Sequence, residues 1–156
     1  MTSIALTADG DLVSMPNLHE GGRPVFRKEY PSEVEKAIAA IFLAHPHPNV
    51  VNIYTISSDY IDMELLSDDV DLVHSIDKYR AHQYFKKHGI VLVDWDLSVW
   101  GSDIHGIPKI QDFELAGLMS TTLGCWLIAP KHSKSYQEAL SNGFINPLDV
   151  DTYTSQ

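Results

Sequence analysis

The sequence predicts an α+β fold in which a small antiparallel β-sheet carrying one helix is followed by a mainly α-helical part. Three observations predict it. Short apolar runs punctuated by turn residues fill the first third, and a capped helical pattern interrupts them. After the acidic stretch Ser67 to Asp71 the periodicity becomes helical.

The elements follow in order. Ile4 to Thr7 and Leu12 to Met15 flank Asp9-Gly10, a dipeptide suited to a tight hairpin because glycine accepts positive φ at low cost. The turn Glu20-Gly21-Gly22 leads into Pro24 to Lys28, where Val25 and Phe26 suit a third strand that delivers Lys28 at its end. Ser32 followed by Glu35 fits a capping box. Val34, Ala37, Ile38, Ile41 and Phe42 continue at helical spacing, so a helix is predicted over 33–44, stopped by His45-Pro46-His47-Pro48.

Val50 to Tyr54 and Tyr60 to Leu65 resume β character on either side of Ser57 to Asp59. Residues 74–87 predict a second helix with Ile76, Tyr79, Ala81, Tyr84 and Phe85 toward the core and Gly89 closing its end. Ile90 to Val93 and Ile107 to Ile110 read as short buried runs, and the polar tail after Pro147 is expected to fray.

Composition narrows the function. A chain of 156 residues, 44% hydrophobic, buries one sizeable core as one domain or two small lobes. With 11 basic against 21 acidic residues the net charge is -10, which argues against a nucleic-acid backbone as partner. The lone Cys125 excludes an intramolecular disulfide and fits a reducing compartment. Met1 to Leu12 has no basic secretory n-region, and no apolar run reaches membrane-spanning length. The expectation is a soluble protein of the cytoplasm or another intracellular compartment. His45 and His47 are too close and too proline-bound for a helical metal pair, and Cys125 lacks a His–Asp partner in sequence. Trp95, Trp100 and Trp126 are expected to fill core or interface gaps.

A series of short strings sharpens the reading. Val25-Phe26-Arg27-Lys28 is followed by His47-Pro48-Asn49-Val50-Val51 and by Asp62-Met63-Glu64-Leu65-Leu66. His88-Gly89-Ile90-Val91 then leads to Asp94, Ile107-Pro108-Lys109-Ile110-Gln111 leads to Asp112-Phe113-Glu114-Leu115-Ala116, and Gly124 to Lys131 closes the set. In this order, across residues 25–131, the strings resemble the eukaryotic-type, Ser/Thr-like protein kinase domain, with counterparts of its β3 lysine, HPN(I/V)V, DFG and APE motifs. The resemblance implies a single truncated kinase-like domain over 1–156, with an N-lobe at 1–66, a hinge at 64–71 and a partial C-lobe at 72–156.

A kinase holds ATP phosphates and a substrate hydroxyl in line mainly by electrostatics. By resemblance, Lys28 is the phosphate lysine, and Glu35 its helix partner in place of the less suited Glu33. Met63, Glu64 and Leu66 would line the nucleotide at the hinge, Asp94 takes the catalytic-base position and Asp112 the magnesium position. ATP and Mg²⁺ are the implied cofactors where nucleotide binding is retained. The run from Lys28 to Glu35 is shorter than kinases show, and Glu35 has a rival task as the capping residue.

The sequence also departs from the family. No GxGxxG lies between the first two strands, where Ala8-Asp9-Gly10-Asp11 is short and acidic. Leu92-Val93 replaces the His-Arg before the catalytic aspartate, Asp96 the lysine after it, and Val99 the metal-ligating asparagine, so the second metal site is lost unless Ser98 or Asp96 substitutes. Glu114 stands at the glycine of DFG, and Lys131 at the glutamate of APE.

Each lost charge-stabilising group costs about 2.7–4 kcal/mol in such sites. These losses point to a pseudokinase with a regulatory or binding role and weak or no phosphotransfer. The alternative is a minimal active Ser/Thr kinase that moves the ATP γ-phosphate to a protein hydroxyl through Lys28, Asp94 and Asp112. A third reading is an unrelated fold carrying a chance series of strings. The missing large-lobe helices would leave apolar surface for a protein partner or a second copy, with a kinase or kinase regulator among the candidates.

Overall fold

Two short strands open the computed structural model, which describes residues 2–6, 12–16 and 24–156. Strand β1 (Thr2–Leu6) pairs antiparallel with β2 (Leu12–Pro16). The predicted turns at Asp9-Gly10 and Glu20 to Gly22 lie outside the described residues. Strand β3 (Val25–Glu29) lies against β1 and runs parallel to it, with Ala5 opposite Val25. The expectation of a wholly antiparallel sheet is therefore corrected. The hairpin offers β3 its first strand, not its second.

Helix α1 (Glu33–Ala44) is capped as predicted, and Val34, Ile38, Ala39 and Phe42 form its buried stripe. Strands β4 (Ile53–Ile56) and β5 (Tyr60–Glu64) complete a sheet of order β2-β1-β3-β5-β4. The strand expected from Val50 begins only at Ile53. Val50 and Val51 instead meet Ile110, whose carbonyl accepts the Val51 N–H at 2.9 Å. Arg27 fixes the β3–β5 register by donating to both carboxylate oxygens of the fully buried Asp62, at 2.7 and 2.9 Å.

Helix α2 (Ser75–Lys87) buries Ala81, Tyr84 and Phe85, while Ile76 and Tyr79 are 51% and 60% exposed. Those two expectations are corrected: neither residue falls on the stripe that 81, 84 and 85 define. Gly89, at φ 71°, ends the helix where a Cβ would stand 2.4 Å from the Met119 carbonyl. The apolar run that follows is buried throughout, with β6 (Ile90–Val91) at its start.

A 3₁₀ turn at Leu97–Val99 leads into β7 (Trp100–Ser102) and β8 (Pro108–Ile110), which pair with each other. Strand β9 (Gly117–Met119) lies between β6 and β10 (Trp126–Ile128). Helices α3 (Lys134–Ser141) and α4 (Pro147–Thr154) finish the chain. The tail does not fray. Asn146 caps α4 by accepting the Asp149 N–H, Val150 is fully buried, and Asp151 pairs with His82 at 2.8 Å.

The main core joins both parts. Phe42 packs its ring against Phe85 and Phe113 with centroids 5.9 and 5.1 Å apart. Buried Asn49 donates to the Pro108 carbonyl and to Asp77, which fixes the loop after α1 against β8 and α2. Trp100 is buried, and Trp95 and Trp126 pack half-buried against the two core clusters. Among the described residues, no helix is long and apolar enough to cross a membrane.

Phe42 links α1, α2 and the segment after Asp112. Phe42→Ala is expected to lower the unfolding free energy by about 3–5 kcal/mol in urea titrations. A loss below about 1 kcal/mol would show that α1 is not docked on this core.

Candidate functional site: a cleft beside Lys28

Strand β3 and the start of α1 bring Lys28 and Glu35 together across a short linker. One Glu35 oxygen accepts the Ser32 N–H and hydroxyl at 3.0 and 3.1 Å, and the other lies 3.8 Å from the Lys28 ammonium. Capping and pairing are therefore not rival tasks. The two oxygens of one carboxylate perform one each. The Lys28 ammonium also lies 3.7 Å from Glu114, whose second oxygen is 3.8 Å from Lys131.

Lys28 and Glu35 face a cavity of about 240 Å³, walled also by Met63, Leu66, Asp112 and Phe113. Gly101 makes room at its edge, since a Cβ there would stand 2.7 Å from Leu66 and 2.8 Å from Gln111. Glu64, grouped with these residues by sequence, is not in the wall. Side chains alternate along β5, so Met63 faces the cavity and Glu64 the other way. There the Glu64 carboxylate accepts from the Lys109 ammonium at 2.9 Å and the Asn52 N–H at 3.3 Å. Lys109 is nearly buried and needs that counter-charge.

Asp94 lines a neighbouring cavity of about 190 Å³ that shares Asp112 and Phe113 with the first and adds Glu114. The segment that presents it is strained. Val93 is buried at φ 73°, and the Asp94 N–H donates to the Leu92 carbonyl at 2.8 Å, closing a three-residue turn. A β-branched residue held there costs about 1–3 kcal/mol, a cost typical of functional sites. Burial pushes the Asp94 carboxyl above its ordinary range, helped by the hydrogen bond and charge of Asp96 and by Asp112. Asp96 is held below its range, chiefly by the Ser98 hydroxyl, and it caps the 3₁₀ turn.

Val99 is a packing residue whose carbonyl accepts the N–H groups of Gln111 and Asp112, at 2.9 and 3.3 Å. It therefore positions Asp112 without offering a ligand of its own. Among the described residues, no group of three or more His, Cys, Asp or Glu side chains is placed to hold a metal. A Mg²⁺ ion uses one or two carboxylates and fills its shell with phosphate oxygens and water. Asp112 fits one such ion. Nothing at position 99 fits a second.

Sequence reasoning missed Asp68 and Gln111, which also line the first cavity with Ser98; Gln111 donates to Asp68 at 2.7 Å. Gln111 had a signal, being next to Asp112, whereas Asp68 had none beyond an acidic run. No protein-family model matches the chain, and no curated protein matches it.

The site thus sets one lysine among Glu35, Asp68, Asp112 and Glu114, so a bare anion meets a net negative wall. Asp94 gives a pH signature. A carboxyl raised by folding binds its proton more tightly in the native state, so its contribution is whole in acid. It is lost as pH rises from the ordinary value of 3.8 through the raised one. Asp94→Asn is expected to melt higher than the parent at pH 7, with the gain fading toward pH 3.8, followed by circular dichroism. A lower melting point at pH 7 would contradict this origin for the shift.

Proposed function

We propose that the chain is a degenerate protein-kinase-like module, of the Ser/Thr type, that admits a nucleotide weakly and acts by binding, with weak or no phosphotransfer. The observation that carries this reading is Glu114 beside Lys28, at 3.7 Å. The lysine that would reach the α- and β-phosphates is already shared between two carboxylates, Glu35 and Glu114. Incoming phosphates must displace or out-compete Glu114, and Asp68 and Asp112 add repulsion at the wall. Lys28 and Asp112 remain the groups suited to ATP and one Mg²⁺ ion, which would offset that repulsion when bound. Val99 leaves a second ion without its ligand, so charge on the transferring phosphoryl group would be poorly offset.

The strained turn that presents Asp94 favours a second reading, a minimal kinase with residual turnover. Phosphate incorporation into a generic protein substrate that disappears in Asp112→Ala would select it over the first.

Glu114→Gly is expected to tighten Mg²⁺-ATP binding about tenfold, because it frees Lys28 from one competing carboxylate. Thermal-shift titration of both proteins reads this. Equal affinities would remove Glu114 from the account. The absence of any shift in either protein would end the nucleotide reading.

A further inference from the structure

A second groove lies at the far end of α1, where the loop to β4 meets α2. Its volume is about 550 Å³, and His45, His47, Arg80, Lys87 and His88 line it. The chain as a whole carries a net charge of -10, and three other cavities among the described residues each carry acid: Asp112 in two of them, Asp71 and Asp96 in the third. This groove has no acidic residue in its lining. The one acidic residue of α2, Asp77, accepts from the Asn49 amide at 3.1 Å. Arg80 and Lys87 stand exposed at the groove's rim, where they can reach an anion that enters it.

The groove is also a built frame. The Tyr84 hydroxyl donates to the His45 carbonyl at 2.6 Å and ties the loop to α2. The His45 and His88 rings stack at 4.7 Å, and the Tyr84 ring lies 4.6 Å from His88 and 4.9 Å from His47. His47 Nδ1 accepts the Asn49 N–H at 3.0 Å, so Nε2 carries the proton and is the free donor. Burial lowers the affinity of His47 and His88 for protons, with Arg80 adding to the effect at His47 and His45 and Lys87 at His88. Tyr84 is pushed up to about 12 by burial and stays neutral.

We propose that this groove binds a phosphate monoester. A guanidinium fork and an ammonium suit a dianionic oxygen cluster, and the His47 Nε2–H can donate to its oxygens. The volume falls within the range of about 300–1,000 Å³ usual for small ligands, so there is room for the organic part, which Tyr79 and Pro46 would flank. The site is separate from the cleft beside Lys28 and stands or falls independently of the nucleotide reading.

The test is histidine-detected NMR of the full chain at pH 6, titrated with phenyl phosphate and with inorganic phosphate at constant ionic strength. Saturable shifts at His47 and His88 are expected, with their titration midpoints moved up and phenyl phosphate binding the tighter of the two. The double substitution Arg80→Ala/Lys87→Ala changes exposed side chains and is expected to weaken binding about tenfold or more. Lys28→Ala is expected to leave it unchanged. Non-saturating shifts, binding insensitive to the double substitution, binding lost in Lys28→Ala, or phenyl phosphate no tighter than inorganic phosphate would each overturn the proposal.

Discussion

The two oxygens of the Glu35 carboxylate tie the start of α1 to the cleft. One caps the helix through Ser32, and the other lies 3.8 Å from Lys28. The magnitudes decide which task dominates. An N-cap of this kind stabilises by about 0.5–2 kcal/mol, while a partly exposed ion pair contributes about 0–1 kcal/mol. Glu35 is therefore held by the helix first, and Lys28 is held loosely. The ammonium accordingly lies between two carboxylates, 3.7 Å from Glu114 as well. Helix α1 passes the constraint onward through Phe42, whose ring meets Phe113, the residue after Asp112. Cap, helix and the Asp112 segment are thus packed as one unit, with Lys28 adjustable beside it.

The strong ion pairs lie off the cleft. Arg27 and Asp62 meet at 2.7 Å, and Lys109 and Glu64 at 2.9 Å, each with a buried member. Breaking such a pair strands a charge, so these contacts set strand register and join β5 to β8. The pairs around Lys28 are longer and wetter, which leaves its partners exchangeable. An adjustable site on a rigid frame suits a binding role better than rate enhancement, which needs groups already fixed around the transferred charge.

Local chemistry was readable from sequence, and long-range pairing was not. The Ser32–Glu35 box gave α1 its start, and Gly89 gave α2 its end. The parallel contact of β1 with β3 could not be read, because alternation fixes a strand's faces and not its neighbour. Alternation along β5 did carry the signal that Glu64 faces away from Met63, but its partner Lys109 lies far along the chain. The α4 cap was also present as Asn146-Pro147, a start signal outweighed by the polar composition of the tail. The basic groove was legible only as separate residues, since the fold alone brings His47 beside Arg80.

The chemical environment of Lys28 is what the proposed role depends on. An acyl phosphate of ATP transfers its acyl group to a lysine held against the phosphates, and peptide mapping identifies which lysine was acylated. Labelling concentrated on Lys28 and suppressed by excess ATP is the expected result. Labelling spread over surface lysines such as Lys86 and Lys134, and indifferent to ATP, would contradict a nucleotide cleft at this site.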